Sequence, residues 1–145
     1  MSPTHLPPQP GLQLRMRGEA RRISSQHRQL DVLYGRVLAA LARASASEAR
    51  DALDRFVDAW EAHTDLEDKL YFPALRGLRP AVGPGLAALS AEHRRLRETL
   101  AGIEADLAAG RLAAAGEALA HLVGEIASHE EREEALLAEL TGGGG

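Results

Sequence analysis

His27, His63 and Glu67 recur as His93, His129 and Glu133, each displaced by 66 residues (93 − 27, 129 − 63, 133 − 67). Within each copy the lone His precedes the His-x-x-x-Glu by 36 residues (63 − 27, 129 − 93). The residues flanking them are apolar and recur on alternating three- and four-residue steps, the period of an amphipathic helix. Two copies of such a pattern leave few folds open, because six polar side chains interrupt otherwise apolar seams at fixed intervals.

Four seams are visible. The first runs Ile23, His27, Leu30, Tyr34, Val37, Leu41, and the second Leu53, Phe56, Trp60, His63, Glu67, Leu70. The third reads Leu86, Leu89, His93, Leu96, Leu100, Ile103, Leu107, and the fourth Leu119, Leu122, Ile126, His129, Glu133, Leu136, Leu140. Breaks fall at Ala44–Ser47, at the Gly/Pro-rich run Gly77–Gly85, and near Gly110. Ser45 stands three residues before Glu48, the capping-box spacing that starts a helix. Pro73, late in the second segment, bends or ends that helix. The expectation is an all-α, up-down-up-down antiparallel four-helix bundle over residues 17–141. A flexible Pro-rich arm (1–16) precedes it and a flexible Gly tail (142–145) follows.

In an antiparallel pair, residues equidistant from the turn lie at one height. His27 and His63 are centred on residue 45, His93 and His129 on residue 111, and His63 and His93 on residue 78, each at a break. All four imidazoles therefore share one layer, about 27 Å from the first turn at 1.5 Å per residue. The seam positions turn the same residues inward. Glu67 and Glu133 lie one helical turn beyond His63 and His129.

Two ionised Glu and four imidazoles in a core are costly without a counter-charge, and two divalent cations supply it. Each metal would take two His and share the two carboxylates, leaving positions open for solvent or a small ligand. The simplest pairing joins His27 with His63 and His93 with His129; the spacing alone does not decide it. A single seam His is ordinarily a satisfied core residue, but that reading does not account for six residues matched in height, facing and offset.

The chain has 145 residues, 45% of them hydrophobic, and a net charge of −4, which suits one acidic soluble domain and gives no reason to expect nucleic acid. No apolar run approaches the roughly 18 residues of a membrane span, and Met1–Gly11 lacks the apolar centre of a secretory signal. The cytoplasm and no membrane partner are the expectation, as a monomer or weak homodimer. With no cysteine, disulfides, thiolate chemistry and iron–sulfur clusters are excluded, and any metal must be held by imidazole and carboxylate. His121, about 80° off the face of His129, belongs to the surface or behind the ligands. Asp65, Asp68, Glu130, Glu131 and Glu134 read as solvated faces, although any of them near a ligand His could orient its second nitrogen.

His27, His63-Thr-Asp-Leu-Glu67, His93 and His129-Glu-Glu-Arg-Glu133 resemble the H…HxxxE…H…HxxxE signature of hemerythrin-like (HHE cation-binding) domains, as do Lys69-Leu-Tyr-Phe-Pro73 and Glu92-His93-Arg94-Arg95-Leu96. The resemblance covers about Arg17 to Leu140. It implies a four-helix bundle with a carboxylate-bridged, non-haem pair of iron ions, for which manganese or zinc are alternatives. It also implies a small diatomic or peroxide ligand: dioxygen, peroxide or nitric oxide. Dioxygen carriers of that family supply a fifth His one turn after the third-helix His, where this chain has Arg97. Asp31, one turn after His27, is a candidate oxygen ligand. Tyr34, two turns after His27, is a candidate ligand or catalytic residue. Leu30, Phe56, Trp60, Leu96, Leu100, Leu122 and Ile126 would form an apolar pocket for the small ligand, and are core residues in either case.

Three functions follow as expectations. The leading one is binding of a small oxidant or gas for sensing, storage or scavenging. A redox enzyme consuming peroxide or nitric oxide, and an iron-responsive interaction module, are the alternatives.

Overall fold

The computed structural model describes residues 10–141, and side chains from residue 21 to residue 139. Its elements are α1 (Pro10–Ala42), α2 (Ala46–Leu66), a π-helical turn (Glu67–Tyr71), α3 (Phe72–Leu78), a 3-10 turn (Pro80–Val82), α4 (Gly83–Ala108) and α5 (Leu112–Thr141). The π turn joins α2 to α3, so the chain forms four rods, with no strand among the described residues. α1 packs on α2, α2 on α4, α4 on α5, and α5 back on α1. This is the four-helix bundle expected from the seams.

α1 begins at Pro10, not at residue 17. Proline suits a first helical turn because its missing N–H has no partner there anyway, and strong helix formers follow it. The remainder of the arm, residues 1–9, and the Gly tail lie outside the described residues.

The first and last turns are built alike. Ala44 (φ 54°) and Gly110 (φ 76°), 66 residues apart (110 − 44), are both left-handed. After each, an N–H reaches back five residues: Ser45 to the Ala40 carbonyl at 3.2 Å, and Arg111 to the Asp106 carbonyl at 2.8 Å. This closes the helix end by satisfying carbonyls that would otherwise have no donor. Ser45 Oγ then accepts from the Glu48 N–H at 3.3 Å and starts α2. Glu48 turns instead to Arg43, at 2.7 and 2.9 Å, so the capping box is only half made.

Pro73 neither ends the helix nor stops its direction. Its ring cannot sit over the carbonyl four residues back, and the wider π turn ahead of it absorbs the conflict. The extra residue per turn rotates the inward face by one position. Leu70, a member of the expected seam, is 66% exposed, and Tyr71 takes its place at 4%. In α5, Leu137 is likewise buried while Leu136 is half-buried; the side chain of Leu140 lies outside those described.

Two apolar clusters result. The larger holds Leu30, Val37, Phe56, Trp60, Leu96, Leu100, Leu119, Leu122 and neighbours. The smaller holds Ile23, Tyr71, Phe72, Leu75, Leu86, Leu89 and Leu137. The buried polar residues His27, His63, Thr64, Glu67, His93, His129 and Glu133 come from positions between these two clusters along each rod. No described helix is long and apolar enough to cross a membrane.

Candidate metal centre

The four imidazoles are buried, and Glu67 and Glu133 are fully so, at 0%. Glu67 Oε1 lies 3.3 Å from His63 Nε2 and 3.2 Å from His93 Nε2. Glu133 reaches His27 Nε2 at 3.3 Å and His129 Nε2 at 3.4 Å. The side chains fall into two groups, each with ligand atoms within 4.8 Å of one another and able to hold a metal ion. One is His27, His63, Glu67 and Glu133; the other is Glu67, His93, His129 and Glu133. Both carboxylates belong to both groups.

Behind the imidazoles stand residues that take their outer N–H. His63 Nδ1 donates to Gln26 Oε1 at 2.6 Å. His93 Nδ1 donates to the Asp68 carboxylate at 3.0 and 3.1 Å, and His129 Nδ1 to Glu92 Oε1 at 3.0 Å. An imidazole that donates from Nδ1 presents a bare lone pair at Nε2 when neutral. Those lone pairs face carboxylate oxygens, and His93 Nε2 and His129 Nε2 face each other at 3.0 Å.

Lone pair against lone pair is repulsive, and a cation between them reverses the sign. All four oxygens of Glu67 and Glu133, and both ring nitrogens of His27, are buried with no hydrogen-bond partner among the described residues. Left so, each such group costs on the order of 1–3 kcal/mol. The donor set of imidazole and carboxylate therefore fits divalent transition metals.

The protonation equilibria agree. Burial pushes the Glu67 carboxyl up to about 12, helped by the Glu133 carboxylate beside it. Burial also opposes ionisation of Glu133, but the Glu67 carboxyl and the His129 and His27 rings beside it outweigh that and hold it well below the usual range. Together the two carboxyls keep one proton between them. Burial pushes His63 down to about 4, and lowers His93 against the pull of Asp68. For His27 burial is outweighed by Glu133, and the ring is raised.

A family model described as the hemerythrin HHE cation binding domain matches residues 19–141. The chain belongs to that family. No curated protein and no solved structure matches it. As a hemerythrin HHE domain it is a metal-binding protein.

Other residues of the hemerythrin domain stand outside the two ligand groups. Asp31 is exposed and stands in neither ligand group. The inward stripe steps three residues from His27 to buried Leu30, so the fourth falls outside it. Arg97 is displaced in the same way: His93 is followed by buried Leu96, and Arg97 is 47% exposed and paired with Glu61. Tyr34 is half-buried against the larger apolar cluster, and burial raises its hydroxyl. The seven pocket residues are all buried in that cluster. Two grooves instead run along the outside of α4 and α5, and Leu96 alone of the seven lines either. His121 is 80% exposed, beside Glu125.

Trp60 lies against three imidazoles, with ring centroids 6.4 Å from His63, 6.1 Å from His93 and 6.3 Å from His129. Phe72 stacks on His93 at 5.8 Å. Glu130, expected on a solvated face, is only 17% exposed, and burial pushes it up to about 7. Gln26 and Glu92 had no place in the sequence reading as partners of the imidazoles, although both immediately precede a ligand-type His and lie 66 residues apart (92 − 26).

Proposed function

We propose that the chain is a non-haem di-iron protein that binds a small oxidant or gas (dioxygen, peroxide or nitric oxide) in the cytoplasm, for sensing, storage or scavenging. His27 and His63 would hold one iron, His93 and His129 the other, with Glu67 and Glu133 shared. The observation that carries this reading is the set of four buried, unpartnered carboxylate oxygens, faced by imidazole Nε2 atoms at 3.2–3.4 Å.

Iron, when bound, supplies reversible electron transfer and open coordination positions for a small ligand. The chain's own residues set the surroundings. Leu30, Phe56, Leu96, Leu100, Leu122 and Ile126 exclude water from one side of the layer. Trp60 adds a buried indole N–H with no acceptor among the described residues, a donor for a polar ligand. Gln26, Asp68 and Glu92 hold three imidazoles in the orientation that turns Nε2 inward.

Metal analysis of protein purified without added metal, with absorption spectra in air, under reductant, and with azide or nitric oxide, tests the reading. About two irons per chain and a charge-transfer band that responds to these ligands are expected. A His63→Ala/His129→Ala double variant that loses no more than one metal per chain would overturn the ligand assignment, and manganese or zinc in place of iron would overturn the metal.

A redox enzyme consuming peroxide or nitric oxide is the second reading. It is favoured by the outward position of Arg97, which leaves the His93–His129 group with two imidazoles and more open coordination. Consumption of many equivalents of peroxide per site, abolished by Glu67→Ala, would select it; consumption that stops after one equivalent selects binding.

A further inference from the structure

The two halves of the centre repeat in sequence but are not supported alike. Behind His93 stands Asp68, whose carboxylate accepts the Nδ1 proton at 3.0 and 3.1 Å and is itself held by the Ser90 hydroxyl at 2.6 Å. Behind His129 stands Glu92 at 3.0 Å, braced by Arg132, whose Nε donates at 3.3 Å, and by Arg95 at 3.6 Å. Both imidazoles of this group therefore donate to a carboxylate that is fixed from behind.

In the other group the equivalent places are weaker. Gln26, one repeat before Glu92, offers His63 a neutral amide oxygen. Glu134, one repeat after Asp68 (134 − 68 = 66), is 3.6 Å from His27 Nδ1 and 55% exposed, and Glu130 is 3.9 Å away. Neither oxygen is within hydrogen-bond reach, and His27 has no hydrogen-bond partner at either ring nitrogen among the described residues. A carboxylate bound to the outer N–H raises the basicity of the inner nitrogen and fixes the ring. Loss of one such partner typically weakens metal binding 10–100-fold.

We infer that the His93–His129 position fills first and empties last, while the His27–His63 position exchanges its metal, with Gln26 and Glu92 as the positioning residues that set the difference. The inference rests on the two-metal reading above. The protein then has a stable one-metal form, and the His27–His63 side is where metal enters and leaves.

Anaerobic titration of the full-length, metal-stripped protein with Co²⁺, followed by visible absorption and calorimetry, tests it. Two steps separated by at least about tenfold in Kd are expected. Glu92→Gln should weaken the first step by about tenfold or more, and Gln26→Glu should tighten the second comparably; both changes are near-isosteric, and circular dichroism checks the helices. His27→Ala should keep the tight step and His129→Ala should lose it. Two steps of equal affinity, or a tight step that survives His129→Ala and vanishes in His27→Ala, overturn the inference alone. Absence of any cobalt binding overturns the two-metal reading, and the inference with it.

Discussion

Glu67 and Glu133, equivalent across the repeat, each lie within 3.4 Å of one imidazole from either half of the chain: Glu67 beside His63 and His93, Glu133 beside His27 and His129. Neither carboxylate belongs to one site. This crossing follows from the bundle, because α2 neighbours both α1 and α4, and α5 neighbours both α4 and α1. Each Glu, one turn beyond its own His, is thereby carried between two imidazole pairs.

Glu67→Gln should separate the metal-free and metal-loaded forms in opposite directions. Burial keeps Glu67 protonated, so an amide of the same shape should leave metal-free stability unchanged or raise it by about 1 kcal/mol. Metal affinity should fall at both positions, since one shared ligand oxygen is lost. Urea denaturation with and without metal measures both effects. Equal destabilisation in both forms would mean that Glu67 serves only the fold.

Chelation should lower Tm strongly. A ligand that binds only the folded state at a free concentration 1,000 times its Kd contributes about 4 kcal/mol. In a domain of this size that is roughly 10–20 °C. Calorimetry before and after chelator, at fixed protein concentration, measures it; a shift of a degree or two would show that the centre is not coupled to folding.

The helices and the layer were legible in the amino-acid sequence because helical spacing is linear: turn midpoints give height and seam steps give facing. The π turn was not, because Leu70 continues the helical period and only the conflict at Pro73 rotates Tyr71 inward. Gln26 and Glu92 escaped for a different reason, and Asp68 was only one of five acidic residues open to the role of orienting an imidazole. Gln26, Asp68 and Glu92 each bond an imidazole on another rod, and cross-rod orientation is not carried by spacing along one helix. Their signal was adjacency to the ligand positions and, for Gln26 and Glu92, the same 66-residue offset.

Ala44→Gly should stabilise the protein. Ala44 is a left-handed residue with a Cβ (φ 54°), and its repeat equivalent is Gly110. The left-handed strain for a non-glycine residue is about 1–2 kcal/mol, and the greater backbone entropy of Gly takes back part of it. A net gain of about 0.5–1 kcal/mol in urea denaturation is expected, without change in metal content. A loss of stability would show that the turn is held by other contacts.

Acid should destabilise the metal-free protein through His63. Its folded value is depressed, from 6.5 to about 4, because burial disfavours the charged ring. The associated stability is present above pH 6.5 and is lost as pH falls through about 4, and amounts to at most about 3 kcal/mol. Glu130, pushed up to about 7, works the other way, its contribution being lost as pH rises from its ordinary value of 4.5. His63→Gln should therefore show a shallower fall in urea midpoint between pH 6.5 and 4 than the parent, with Glu130 common to both. Parallel curves would remove His63 as the cause.

Trp60 should report metal loading directly. It is the only Trp in the chain, so all indole emission comes from one place. Its ring centroid lies 6.1–6.4 Å from His63, His93 and His129, hence beside both ligand groups. An open-shell ion held by those imidazoles offers the excited indole efficient energy- and electron-transfer routes at that range, whereas closed-shell zinc offers neither. Iron or cobalt should quench most of the emission and chelation should restore it, while zinc should leave it nearly unchanged. Because two of the three contacting imidazoles belong to the His93–His129 group, the larger share of quenching should come with the first equivalent. Emission that ignores iron in protein shown by analysis to contain two irons per chain would place the metal away from this layer.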